Sequence, residues 1–163
     1  MKNLITTSIV LVFLCACNKS EKSARVQIDD LFTKYQRSFP EIKTMTFADI
    51  EKLSSDKYLL VDVREEKEIN VSMIEGAVTK AEFDSDKNSH KDKLIIPYCT
   101  VGYRSGKFAQ TLKADFKVAN LAGGILAWVH DGGKVFDGDH ETKNVHVYDK
   151  KWDLIPKSYK AEY

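Results

Sequence analysis

Cys99 and Arg104 are separated by four residues in the segment Tyr98-Cys99-Thr100-Val101-Gly102-Tyr103-Arg104-Ser105. The nucleophilic form of a cysteine is its thiolate. The apolar run Leu94-Ile95-Ile96-Pro97-Tyr98 before the cysteine has the length of a buried strand, and Ser105 to Ala114 carries Phe108, Ala109 and Leu112 at helical spacing. Cys99 therefore falls where a strand hands over to a helix, among backbone N–H groups that lack intrahelical partners. Those amides and the helix dipole favour a negative charge. Arg104 adds a cation, and Gly102 allows a tight turn that points several amides inward. The expected chemistry is nucleophilic: Cys99 as the reacting thiolate, Arg104 beside it, and Thr100, Val101, Gly102, Tyr103 and Ser105 as a loop cradling one anionic sulfur centre. Tyr103 and Thr100 are expected at its mouth. The plain alternative is an inert cysteine buried in a loop.

A loop of this kind needs a rigid sheet beneath it. Tyr58-Leu59-Leu60-Val61-Asp62-Val63 is nearly continuous in apolar character, as strands buried on both faces of a parallel sheet are. Lys117 to Leu121 and Gly76 to Val78 supply two more strands, and Thr44 to Thr46 a short one. Between them lie a helix near 25–38 ended by Pro40, a short helix at 47–53 with Thr46 as its N-cap, a charged helical stretch at 64–70, and a last helix at 125–130. Residues 82–93 read as a surface loop or frayed helix. Strands alternating with helices predict a doubly wound α/β fold, a parallel sheet of about 4–5 strands with helices on both faces. Its ligands would bind beyond the carboxyl ends of the strands. After residue 133 the pattern dissolves. Val145 to Tyr148 alternates like an edge strand, and Trp152, Leu154, Ile155 and Tyr159 predict that residues 134–163 dock on the domain.

The chain has 163 residues, 43% hydrophobic and 30% charged, with a formal net charge of +1. That composition is globular, and it offers no field to draw nucleic acid. Lys2 followed by the apolar run Leu4 to Leu14 suits a secretory signal and is short of the roughly 20 apolar residues that span a bilayer. The run ends Leu14-Cys15-Ala16-Cys17, which resembles a bacterial lipobox. On that reading residues 1–16 are a lipoprotein signal peptide, Cys17 receives the lipid, 17–24 is a polar tether and 25–133 is the domain. The expected address is the bacterial cell envelope, at the periplasmic face of the outer membrane. Cleavage removes Lys2 from the 25 basic residues and leaves them equal to the 24 acidic ones. Cys99 is then the sole unmodified thiol, so no internal disulfide is expected.

Three motifs in register carry a resemblance to the rhodanese family. Cys99-Thr-Val-Gly-Tyr-Arg104 is similar to its Cys-x-x-Gly-x-Arg active loop. Asp62-Val63-Arg64-Glu65 with Gly76-Ala77 is similar to its Asp-Val-Arg and Gly-Ala segments, and Gly123-Gly124-Ile125-Leu126-Ala127-Trp128 to its Gly-Gly-x-x-x-Trp signature. The resemblance covers 44–133. Where many relatives have Gly-His-Ile-Pro-Gly-Ala, this chain has Ser72-Met73-Ile74-Glu75-Gly76-Ala77. The resemblance implies a sulfurtransferase, and with no metal-type spacing or cofactor fingerprint in the chain neither a metal nor a cofactor is expected. Cys99 takes sulfur from a small donor as a persulfide and passes it to a thiol or cyanide-like acceptor, and Arg104 stabilises anionic sulfur. Asp62 and Arg64 are expected to support the site, Asp62 by holding loop groups and Arg64 by pairing with a carboxylate.

Two other readings compete. A phosphatase or arsenate reductase of related fold favours five residues between Cys and Arg, a wider loop for a tetrahedral oxyanion, and a thiol-based reductase needs a resolving cysteine. A non-catalytic binding module in the envelope would use the 134–163 extension to engage a protein partner. His90, His130, His140 and His146 show no zinc-type spacing and are expected at the surface. Gly123-Gly124 lacks the third glycine of a dinucleotide fingerprint.

Overall fold

The computed structural model describes residues 22–163. The Leu4–Leu14 run, Cys15 and Cys17 lie outside the described residues. No helix among the described residues is long and apolar enough to cross a membrane.

The described residues open with α1 (Ala24–Gln36), capped by the Ser23 side chain, and turn into β1 (Lys43–Met45). Thr46 then starts α2 (Phe47–Ile50): its hydroxyl accepts from the Asp49 amide while the Asp49 carboxylate accepts from the Thr46 amide. The chain continues through β2 (Tyr58–Asp62), α3 (Glu66–Ile69), β3 (Met73–Ile74), β4 (Val78–Thr79) and α4 (Lys80–Asp86). It then forms β5 (Leu94–Tyr98), α5 (Tyr103–Leu112), β6 (Lys117–Leu121) and α6 (Gly124–His130). The last segment holds β7 (Val135–Asp137), β8 (His140–Thr142), β9 (Asn144–His146) and β10 (Lys160–Glu162).

Five strands form one parallel sheet in the order β1-β6-β5-β2-β4. The apolar runs of β2 and β5 are continuous because each face of the sheet is covered. Leu60, Ile96 and Tyr98 pack against Ile28, Phe32, Ile125 and Leu126 on one side. Leu59, Val61 and Ile95 pack against Phe83 and Leu112 on the other. Full burial of each such side chain contributes roughly 1.5–3 kcal/mol. From β2 the chain steps outward to β4 and then returns to the other side of β2 as β5. The carboxyl ends of β2 and β5 thus flank the switch point of the sheet, and Asp62 lies opposite Tyr98 there.

The expected doubly wound sheet is present, and local differences have local causes. Of the two alternatives for 82–93, surface loop or frayed helix, the structure shows helix at its start, where α4 runs to Asp86. Thr79 and Glu82 form a reciprocal cap at 2.7 and 3.2 Å, and only Phe83 of this helix is buried, so its periodicity is hidden among charges. The strand expected at 76–78 begins only at Val78. Gly76 instead takes φ +71 in the turn that follows β3.

Residues beyond 133 form more strand than their sequence suggests. β7 pairs antiparallel with β3 and continues into a hairpin with β8, while β9 pairs parallel with β10. Val145 and Val147 are fully buried in the main core. Trp128 donates its indole N–H to the Lys134 carbonyl at 2.9 Å, and His130 Nε2 lies 2.6 Å from the Leu154 carbonyl. His146 corrects the expectation of surface histidines. It is 2% exposed because β9 is covered on both faces: Val145 and Val147 enter the core, and His146, on the opposite face by strand alternation, is shielded where β9 packs beside α3.

Candidate active site

Cys99 is the first residue beyond β5, at the switch point, and is 2% exposed. The loop it opens curls back on its sulfur. The Gly102 amide donates to Cys99 Sγ at 3.2 Å and the Ser105 hydroxyl at 3.5 Å. Gly102 has φ +122, in the left-handed region, and a Cβ there would stand 2.6 Å from the Phe32 ring. Only glycine both makes this turn and fits against α1. α5 starts at the next residue, so the two groups that donate to the sulfur stand at the N-terminal end of a helix, the end where backbone amides lack intrahelical partners.

Two elements distant in sequence clamp the loop. The α6 amides of Ile125 and Leu126 donate to the carbonyls of Cys99 and Thr100 at 2.9 and 3.3 Å. Gly124 allows this approach, since a Cβ on it would lie 2.2 Å from the Cys99 carbonyl oxygen. From β6, the fully buried Asn120 donates its amide to the Gly102 carbonyl at 2.9 Å. An asparagine inside a mostly apolar strand is the sequence signal for such a role.

Arg104 is engaged by a residue the sequence did not single out. Its guanidinium donates to both oxygens of Glu68 at 2.6 and 2.8 Å and to the Thr100 hydroxyl at 2.9 Å. Thr100 in turn donates to Glu68 at 3.1 Å. Burial raises the pKa of Glu68, but the bonds from Arg104 and the Glu65 amide outweigh it, and the carboxyl sits below its ordinary range. Burial works against the Arg104 charge too, yet Glu68 and the neighbouring Cys99 sulfur raise its pKa overall. Nothing local distinguishes Glu68 from Glu65 and Glu66, so only the packing of α3 against the loop reveals it.

Asp62 and Arg64 pair with each other. Arg64 donates through Nε and a terminal nitrogen to Asp62 at 3.0 and 2.6 Å, both side chains are fully inaccessible, and Arg64 also reaches the Ser72 carbonyl at 2.5 Å. Desolvation opposes the Arg64 charge, and Asp62 more than restores it. This corrects the expectation that Asp62 holds loop groups. The pair instead ties the end of β2 to the segment before β3. Tyr98, fully buried beside it, accepts from the Ile74 amide at 3.1 Å.

The loop opens into a pocket of about 300 Å³ lined by Tyr35, Cys99, Thr100, Val101, Tyr103, Arg104, Tyr148 and Trp152. Val101 itself is turned into the core and is 3% exposed. Tyr148 and Trp152 come from the segment after residue 133. Among the lining residues other than Cys99, Arg104 alone is charged, and the Tyr148 ring lies 5.2 Å from its guanidinium carbon.

A family model described as a rhodanese-like domain matches residues 46–131. "Putative sulfurtransferase YtwF" of Bacillus subtilis (strain 168) is 36% identical over 94 residues, which cover 54% of this chain and 91% of that protein. Among solved structures, a Rhodopseudomonas palustris CGA009 protein of unknown function described as a "Possible Tyrosine Phosphatase" matches with TM-score 0.51 and 26% identity, over 67% of this chain and 93% of that one. Thiosulfate sulfurtransferase from Pseudomonas aeruginosa matches with TM-score 0.56 and 18% identity, over 71% of this chain and 24% of that one, a likeness of fold.

Proposed function

Because the chain belongs to the rhodanese-like domain family, we propose that it is a sulfurtransferase in which Cys99 carries sulfur as a persulfide. The observation that carries this reading is the cradle around one sulfur: Cys99 Sγ, buried at the switch point, accepts the Gly102 amide at 3.2 Å and faces the start of α5. With thiosulfate as donor, the Cys99 thiolate attacks the outer sulfur, the S–S bond breaks, and sulfite leaves with the electron pair. Cys99 then holds the persulfide, and the loop amides stabilise its terminal charge. An acceptor thiolate or cyanide attacks the outer sulfur and returns Cys99 as thiolate. The four residues between Cys99 and Arg104 suit one sulfur atom, not a tetrahedral phosphoryl group.

Intact-mass measurement after exposure to thiosulfate or a polysulfide tests the reading. A gain of about 32 Da, removed by cyanide and absent in Cys99→Ser, is expected for covalent sulfur transfer. No gain with either donor overturns it and leaves a binding module of the envelope.

The Leu14-Cys15-Ala16-Cys17 sequence supports a lipid anchor on Cys17 and an envelope address. Incorporation of labelled palmitate that is lost in Cys17→Ser is the expected result, and equal labelling of the two would overturn it.

A further inference from the structure

We propose that the segment after residue 133 supplies a specificity wall, and that the sulfur donor this pocket takes is an organic one whose apolar, aromatic-sized group lies against Tyr148 and Trp152. The inference rests on the sulfur-transfer reading of Cys99 and names the substrate class of that site.

Three observations carry it. First, the pocket in front of Cys99 is about 300 Å³, at the lower end of the range for small organic ligands and larger than an inorganic sulfur anion requires. Second, the cation at its edge is already occupied. Arg104 is bonded to both oxygens of Glu68 and covered on one side by the Tyr148 ring, and apart from the Cys99 thiolate itself no other lining side chain is charged. A dianion entering the pocket therefore meets a neutralised pair, whereas an aromatic group meets Tyr35, Tyr103, Tyr148 and Trp152. Tyr35 already contacts two of these, with ring centroids 5.3 Å from Tyr103 and 6.5 Å from Trp152.

Third, Tyr148 is held in a costly backbone conformation. It is the one non-glycine residue with positive φ among the described residues, at +72, and the residue is 46% exposed. Glycine would satisfy that backbone better, and little core packing would be lost. A tyrosine kept there points to a use for its ring. The His146 Nδ1 accepts the Tyr148 amide at 3.0 Å and pins the residue so that the ring stays over Arg104.

The transfer balances with such donors. The Cys99 thiolate attacks the outer sulfur of an organic persulfide, the S–S bond breaks, and the organic thiolate leaves with the electron pair. With an organic thiosulfonate the leaving group is the sulfinate. No outside oxidant or reductant is needed in either case.

The test compares toluenethiosulfonate with methanethiosulfonate, which share charge and reacting atoms and differ in the apolar group. With the purified full chain, kcat/KM for the aryl donor is expected to exceed that for the methyl donor about tenfold, the worth of a good aromatic contact. The ratio is expected to fall toward one in Tyr148→Gly and in Trp152→Ala. Tyr148→Gly is expected to keep or raise the Tm, which separates lost contact from lost fold. A wild-type ratio near one overturns the inference while leaving the sulfurtransferase reading intact. An unchanged ratio in both variants also overturns it. If neither donor adds sulfur to Cys99, both readings fall together.

Discussion

Arg104 and Glu68 form a two-bond pair across the mouth of the site, at 2.6 and 2.8 Å, with the carboxylate side chain fully inaccessible and the guanidinium 30% exposed. The loop that begins at Cys99 is thus fastened to α3 through the Arg104 side chain, and the cation that lines the pocket is compensated before any ligand arrives. Glu68→Gln is expected to lower stability by about 1.5–3 kcal/mol, the range for a hydrogen bond to a charged group. It is also expected to lower the KM for thiosulfate, because the freed Arg104 charge then attracts the dianion. Steady-state kinetics with denaturant unfolding checks both, and an unchanged KM counts against the neutralised-pair account.

The same carboxylate gives an acid limb. Its pKa is below the ordinary 4.5, since the Arg104 and Glu65 bonds outweigh burial. The stability it contributes is fully present above 4.5 and is lost as pH falls through the lower folded value. Wild type should therefore lose Tm more steeply than Glu68→Gln as the medium is taken below pH 4.5. Parallel curves would argue that the pair stores no pH-dependent stability.

His146 predicts a second, milder limb. Desolvation depresses its pKa below 6.5. Glu68 opposes that shift, while Lys67, Arg64 and Arg104 reinforce it. The neutral ring contributes stability above 6.5, and this is lost as pH falls through the depressed folded value. Protonation at Nδ1 removes the acceptor of the Tyr148 amide. Tm is expected to decline below pH 6.5, and His146→Asn, which keeps a neutral acceptor, is expected to flatten that part of the curve.

Gly124 should tolerate no side chain. A Cβ would meet the Cys99 carbonyl oxygen at 2.2 Å, and φ is +56. Gly124→Ala is expected to cost about 1–3 kcal/mol from backbone strain alone, with the clash added. Sulfur loading of Cys99 should fall with it, since the loop carbonyls lose their α6 donors. A mass shift as large as in wild type would show that the clamp is dispensable.

Asp62 and Arg64 should behave as structure. Arg64→Met leaves a buried carboxylate without its cation and is expected to cost about 3–5 kcal/mol. Persulfide formed per folded molecule should change little, because neither residue lines the pocket. Measuring Tm and loaded fraction on the same sample separates the two effects.

The parts legible from the chain alone are those set by neighbours in sequence. Continuous apolar runs at 58–63 and 94–98 imply a sheet buried on both faces, and a cysteine followed by glycine and arginine at a strand-to-helix junction implies the cradle. The Thr46 cap is legible for the same reason, because its partners are three residues away. The other determinants pair groups far apart along the chain. Glu68 meets Arg104 across 36 residues and Asn120 reaches Gly102 across 18. Tyr148 arrives over Arg104 only after β9 has docked beside α3. In a run such as Glu65 to Glu68 each carboxylate has the same local chemistry. Burial selects one of them, and burial depends on how helices and strands pack. The candidate nucleophile is thus local information, while the charge it faces and the wall of its pocket arise when the chain folds back on itself.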